Sequence, residues 1–172
     1  MTAQQRRERI REILETAPGP ISAGTLAGEL GVSRQIVVGD VALLRAGGYS
    51  VDATPRGYIR RGAGGGGCQA MLACCHTGLE ALRQELYCVV DHGGVLENVI
   101  VENPLYGEIV GQLQIGSRYD ADVFVAKAAE APGSLVSSTT GGVHLHSVRC
   151  PDRESLERIR AGLLALGILY EK

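Results

Sequence analysis

The sequence has no tryptophan and only one Phe and six Tyr among 172 residues, so an apolar interior has to be assembled from Leu, Val, Ile and Ala. Those residues are plentiful enough for a real core, since the hydrophobic fraction is 45%. No run approaches the roughly 18 consecutive apolar residues of a membrane span. Met1–Arg11 is charged and lacks the apolar stretch of a signal peptide, so the expected location is the cytoplasm, away from membranes. The five cysteines are odd in number, two of them adjacent at Cys74-Cys75, and none forms CxxC. That is a poor disulfide framework and suits reduced thiols in a cytoplasm. HExxH, P-loop and GxSxG patterns are also missing, which argues against the commoner hydrolase and NTPase centres.

Charge is unevenly spread. Residues 1–61 hold nine Arg against six acids, a net of +3, and residues 62–172 hold eight bases against thirteen acids, a net of −5. A basic first half beside an acidic second half points to nucleic acid as a partner of the first.

The first sixty residues have a specific order of elements. Thr2 caps a predicted helix over 3–16 with an apolar stripe of Ile10, Ile13, Leu14 and Ala17. Pro18-Gly19-Pro20 ends it, and Ser22 caps a second helix reaching Leu30. Gly31-Val32-Ser33 is a tight turn, with Gly31 suited to positive φ, and Ser33 caps a third helix over 34–45. Two helices joined by such a turn cross steeply and project the second outward. In a helix-turn-helix that second helix enters the major groove with its N-terminal end, here Ser33, Arg34 and Gln35. Arg bonds bidentately to guanine and Gln to adenine. Two short strands, 49–53 and 57–61, around Thr54-Pro55-Arg56-Gly57 make a wing that places Arg56, Arg60 and Arg61 for phosphates or the minor groove. The competing reading is a three-helix structural domain with a solvated Arg face. The stretch from Leu26 to Gln35 resembles the helix-turn-helix of the biotin-repressor-like winged-helix group.

Gly62-Ala63-Gly64-Gly65-Gly66-Gly67 formally satisfies GxGxxG, but that fingerprint needs a helix immediately afterwards, and Cys68–Cys75 is short and apolar. A flexible linker is the better reading. The expected organisation is a winged helix-turn-helix over 1–61, a linker over 62–67 and a second domain over 68–172.

In the second domain the pattern predicts strands at 68–75, 95–102, 107–115, 142–149 and 167–170, with helices at 77–90, 119–130 and 152–166. Thr77 and Asp152 are the expected caps. This is an α+β sandwich, a mainly antiparallel sheet with helices on one face. His144 and His146 flank Leu145 in an extended segment, so both rings project from one face, at a separation that lets two imidazoles share an ion. His76 ends the first strand, and Glu85 on the next helix offers a carboxylate. Such a donor set suits zinc, nickel, iron or manganese, although an exposed His pair on a strand is the commoner occurrence. His92, beside Gly93-Gly94, reads as a solvent-exposed loop residue. Cys74 can share the face of His76 and reads as a buried free thiol.

His76-Thr77, Glu85-Leu86, Val95–Pro104, Tyr106-Gly107-Glu108-Ile109 and Gly141-Gly142-Val143-His144-Leu145-His146 resemble the 3H domain, named for three histidines. Joined to this helix-turn-helix, it resembles the nicotinate-responsive repressor family known as NiaR or YrxA, over nearly the whole chain. The resemblance implies a non-enzymatic homodimer that binds double-stranded operator DNA, controls NAD biosynthesis or niacin uptake, and uses nicotinic acid or a related niacin as co-repressor. It further implies one divalent transition metal per chain, held by residues matching His76, Glu85, His144 and His146. The His76–Glu85 segment is one residue longer than the family pattern, which leaves Glu80 as a competing carboxylate. Asn103 stands where family members often carry His. No effector-contacting residue is assigned. Two other readings compete: a metalloregulator whose signal is the metal itself, and a metal-dependent hydrolase with Glu108 or Asp91 as base.

Overall fold

The computed structural model describes residues 1–60 and 67–171, and the chain forms two compact units, Met1–Gly65 and Gly66–Lys172. Arg61 and most of the expected linker lie outside the described residues.

In the first unit, α1 (Ala3–Thr16), α2 (Ala23–Leu30) and α3 (Arg34–Ala46) precede a two-stranded antiparallel hairpin, β1 (Val51–Thr54) and β2 (Gly57–Arg60). Thr2 and Gln5 form a reciprocal capping box, and Ser22 and Ser33 accept from Thr25 N and Ile36 N. Gly31 closes α2 at φ 65, the left-handed conformation that costs glycine nothing, and sends its N–H to the Ala27 carbonyl. Ile10, Leu14, Leu26, Leu30, Val37, Val41 and Val51 form the core. Asp40 is buried on α3 and is compensated by Arg6 and Arg7 from α1. The wing is tied down by two bonds between Ile21 and Tyr58, 2.9 and 2.8 Å. Its first strand begins later than the predicted residue 49, because Tyr49 N–H bonds back to the Leu44 carbonyl and finishes α3.

The second unit contains β3 (Cys68–Cys75), α4 (Leu79–Asp91), β4 (Val95–Asn103), β5 (Gly107–Ile115), α5 (Arg118–Glu130), β6 (Val143–Cys150) and α6 (Arg153–Ala165). The strands form an antiparallel sheet in the order β3-β6-β4-β5. The inward residues Leu72, Leu96, Leu113 and Val148 meet Leu86, Val125, Ile159 and Leu163 from the three helices in one core. This is the expected α+β arrangement. Asp152 caps α6 as expected, accepting from Ser155 N. Two details differ. The cap of α4 is Gly78, not Thr77; glycine has no side chain to bond the first-turn amides, so this terminus has no side-chain cap. The expected strand at 167–170 reduces to a bridge between Cys74 and Leu169, because Gly167 at φ 69 turns the chain out of α6 and leaves only a short touch on the β3 edge. Among the described residues no helix is long and apolar enough to cross a membrane.

Leu26 is fully buried in the helix-turn-helix core. Leu26→Ala is expected to destabilise the first unit by about 2–5 kcal/mol, read as a lowered urea midpoint by circular dichroism.

Candidate metal centre and nucleic-acid interface

The chemistry of the second unit is concentrated where β6 lies between β3 and β4 and α4 packs over them. His144 and His146 project from β6 toward the helices, as does Cys74 from β3, in register with His144. His76 follows β3, and Glu85 comes down from α4 with no solvent exposure at all.

All three rings aim Nε2 at the Glu85 carboxylate. His76 Nε2 lies 2.8 Å from Oε2, His144 Nε2 3.0 Å from Oε1, and His146 Nε2 3.4 Å from Oε2. Two rings are locked by their other nitrogen: His144 Nδ1–H donates to the Gly142 carbonyl at 2.8 Å, and His146 Nδ1–H to the Asn98 carbonyl at 2.7 Å. A carbonyl only accepts, so Nδ1 carries the hydrogen, and a neutral ring then presents a lone pair at Nε2. Lone pairs facing a carboxylate repel unless something positive lies between them. Protons or a metal cation meet that requirement. Histidine ligands of metals typically have the same carbonyl-anchored second nitrogen.

The local sequence explains the placement. Gly142 sits at φ 96 against the backbone of His76, where a Cβ would run into the His76 carbonyl. It receives His76 N–H and gives its own carbonyl to His144. The register of β4 shifts between Leu96 and Asn98, and the Asn98 side-chain oxygen takes the Ser147 N–H at 3.1 Å, which leaves the backbone carbonyl to the His146 ring. Nothing in the sequence pattern singles out Asn98.

Electrostatics follow from burial and neighbours. Burial pushes the Glu85 carboxyl up, but the charge of His146 and hydrogen bonds from His144 and His76 outweigh it and hold the group well below its ordinary value. Burial pushes His144 down, but the bond to Glu85, its charge and the Gly142 carbonyl leave it raised. Burial and Glu85 together push the Cys74 thiol up.

The donor set fits a transition metal. The three ring nitrogens lie at hydrogen-bond and ion-pair distance from the carboxylate, and imidazole and carboxylate are the donor types that zinc and its neighbours take. His146 Nε2 is buried and has no hydrogen-bond partner among the described residues. Cys74, Glu85 and His144 form a buried group capable of holding an ion. Glu80 is exposed and bonded to Gln84, away from this cluster. His92 is not solvated as expected: it is half-buried, with Nδ1 on the Cys88 carbonyl. Asn103 accepts from Leu105 N and Tyr106 N and holds the β4–β5 turn. Asp91 is paired with Arg118, and Glu108 is exposed on β5.

In the first unit Ser33, Arg34 and Gln35 stand exposed at the start of α3, while Val37 and Val41 anchor its other face. Arg60 is exposed at the end of the wing and Arg56 is half-buried in its turn.

A family model described as an HTH domain matches residues 6–59, and one described as a 3H domain matches residues 69–172. Two units of these kinds in this order define a helix-turn-helix transcription repressor with a 3H domain. The probable transcription repressor NiaR of Thermotoga maritima is 43% identical over 169 residues, covering 98% of this chain and 95% of its own length. The transcription repressor NadR of Bacillus subtilis is 33% identical over 169 residues, covering 96% and 93%. The chain belongs to the NiaR family of transcription repressors, and its relatives are named as repressors, not as enzymes.

Glu85 and His144 set opposite limits on the metal-free protein. Glu85 contributes stability that is complete above its ordinary 4.5 and lost as pH falls through its lowered folded value. His144 contributes stability that is complete below its ordinary 6.5 and lost as pH rises through its raised folded value. Metal-free protein is therefore expected to be most stable on the acid side of neutrality, with Glu85→Gln flattening both limbs. Urea denaturation across pH, with chelator present, checks this.

Proposed function

We propose that the chain is a cytoplasmic, homodimeric repressor that binds double-stranded operator DNA under control of nicotinic acid, with one divalent transition metal per chain in the 3H domain, and regulates NAD biosynthesis or niacin uptake. The observation that carries the reading is the convergence of His76, His144 and His146 on buried Glu85, next to a cavity of about 200 Å³. Three imidazoles and a carboxylate favour nickel or zinc, with iron or manganese also compatible. When bound, the ion supplies fixed positive charge and a Lewis-acid contact for an anionic ligand.

The cavity is lined by His76, Thr77, Gly78, Leu79, Leu82 and Leu135 among others. Leucine side chains offer walls for a flat aromatic ring. The α4 terminus, whose amides lack a side-chain cap, favours a carboxylate. Nicotinate carries both features, a pyridine ring and a carboxylate. Its binding rigidifies the 3H domain, and in a dimer that fixes the distance between two α3 helices, which operators require at about one DNA turn or a multiple of it. Arg34 and Gln35 read bases, Ser33 supports the helix terminus, and Arg56 and Arg60 contact the backbone. The linkage requires nicotinate to prefer the operator-competent state.

The test is DNA binding by fluorescence anisotropy, with nicotinic acid and nicotinamide, on metal-loaded and metal-free protein whose metal content is measured in the same sample. Nicotinic acid should tighten operator binding about tenfold or more in the metal-loaded form. Full tightening by metal alone would make the ion the signal, and indifference to every niacin compound would overturn the reading. Arg34→Ala should weaken operator binding by about tenfold or more and relax preference at the contacted base.

A further inference from the structure

Cys74 stands apart from the other four cysteines. It is fully buried, directly opposite His144 in the β3–β6 register, and on the same face of the sheet as both histidines of β6. Its Sγ, a Glu85 carboxylate oxygen and a His144 ring nitrogen all lie within 4.8 Å of one another. Its strand neighbour on that face, Leu72, is an ordinary core residue paired with His146. A thiol thus occupies the strand position that faces the carboxylate. A second observation points to a ligand in the same place: His146 Nε2, buried and without a hydrogen-bond partner among the described residues, is directed at Glu85. The buried polar atoms here exceed what bonds within the protein satisfy.

We propose that Cys74 Sγ is a further ligand of the ion held by Glu85 and the three histidines, turning a nitrogen–oxygen donor set into one that includes a thiolate. The inference rests on the metal reading above and goes beyond its four ligands. Binding replaces the thiol proton with the ion: the S–H bond breaks, a sulfur–metal bond forms, and the proton leaves to the buffer. No electron changes hands. A sulfur donor moves the site's preference away from manganese and toward zinc and the softer end of the series.

The experiment loads the full-length protein with cobalt(II) at one equivalent and records its near-ultraviolet spectrum. A sulfur-to-cobalt charge-transfer band is expected in the native protein and in Cys75→Ser, whose thiol lies on the alternate face of β3, and should be lost in Cys74→Ser. Zinc affinity of Cys74→Ser should fall by about tenfold or more. X-ray absorption on zinc-loaded native protein gives the same answer without a variant, through a sulfur scatterer at about 2.3 Å. Stoichiometric metal with nitrogen and oxygen scatterers alone, or a band that survives Cys74→Ser, overturns the proposal and leaves the metal reading intact. Failure to retain cobalt or zinc at all overturns both.

Discussion

A carboxylate removed completely from solvent and faced by three ring nitrogens is the constraint around which the second unit is built. A charge in that position is expensive to bury alone, and it is held only if positive charge is supplied within a few ångströms. Glu85 obtains it from His76, His144 and His146, as imidazolium protons or as a shared cation. Either way its folded state is coupled to what occupies the space between these atoms. On the proposed function, that coupling would let any ligand that changes the charge or donors there act directly on the stability of the core around it.

The fold delivers these atoms from four separate segments. Strand pairing sets Cys74 opposite His144 and Leu72 opposite His146, so one face of two strands carries Cys74, His144 and His146. Gly142 lets the backbone of the β6 entry press against His76 and lends a carbonyl to His144. Asn98 replaces its own carbonyl in the strand ladder with its side chain, and the freed carbonyl orients His146. The α4 helix then places Glu85 from above, and its terminus opens on the adjoining cavity. In the other unit the same economy holds: the buried Asp40–Arg6 pair and the Val37 and Val41 anchors fix α3, leaving Arg34 and Gln35 free of packing duties.

Much of this was legible in the sequence where local chemistry decides the outcome. Caps at Thr2, Ser22, Ser33 and Asp152, and the left-handed Gly31, placed the helices because a cap acts within three residues of itself. The His-Leu-His spacing put two rings on one face for the same local reason. His76 and Glu85 were candidates from their places at a strand end and on the next helix, but helical periodicity does not separate a buried Glu85 from an exposed Glu80, and the full set of four came from the family resemblance. The cap at Thr77 failed because Gly78 adopts a conformation no cap preference encodes. The strand at 167–170 shrank because an apolar run does not reveal how much edge remains for it. Cys74 read as a buried free thiol and is one, while Asn98 carried no signal because its role depends on pairing with His146, 48 positions away.

The central claim is that the Glu85 cluster is a metal site, and the most direct test is the metal content of the chain purified without chelator, compared with Glu85→Gln. The account predicts about one divalent transition-metal ion per native chain and almost none in a folded Glu85→Gln protein. Equal contents in the two, or a native protein that takes up no transition metal when offered it, would contradict it.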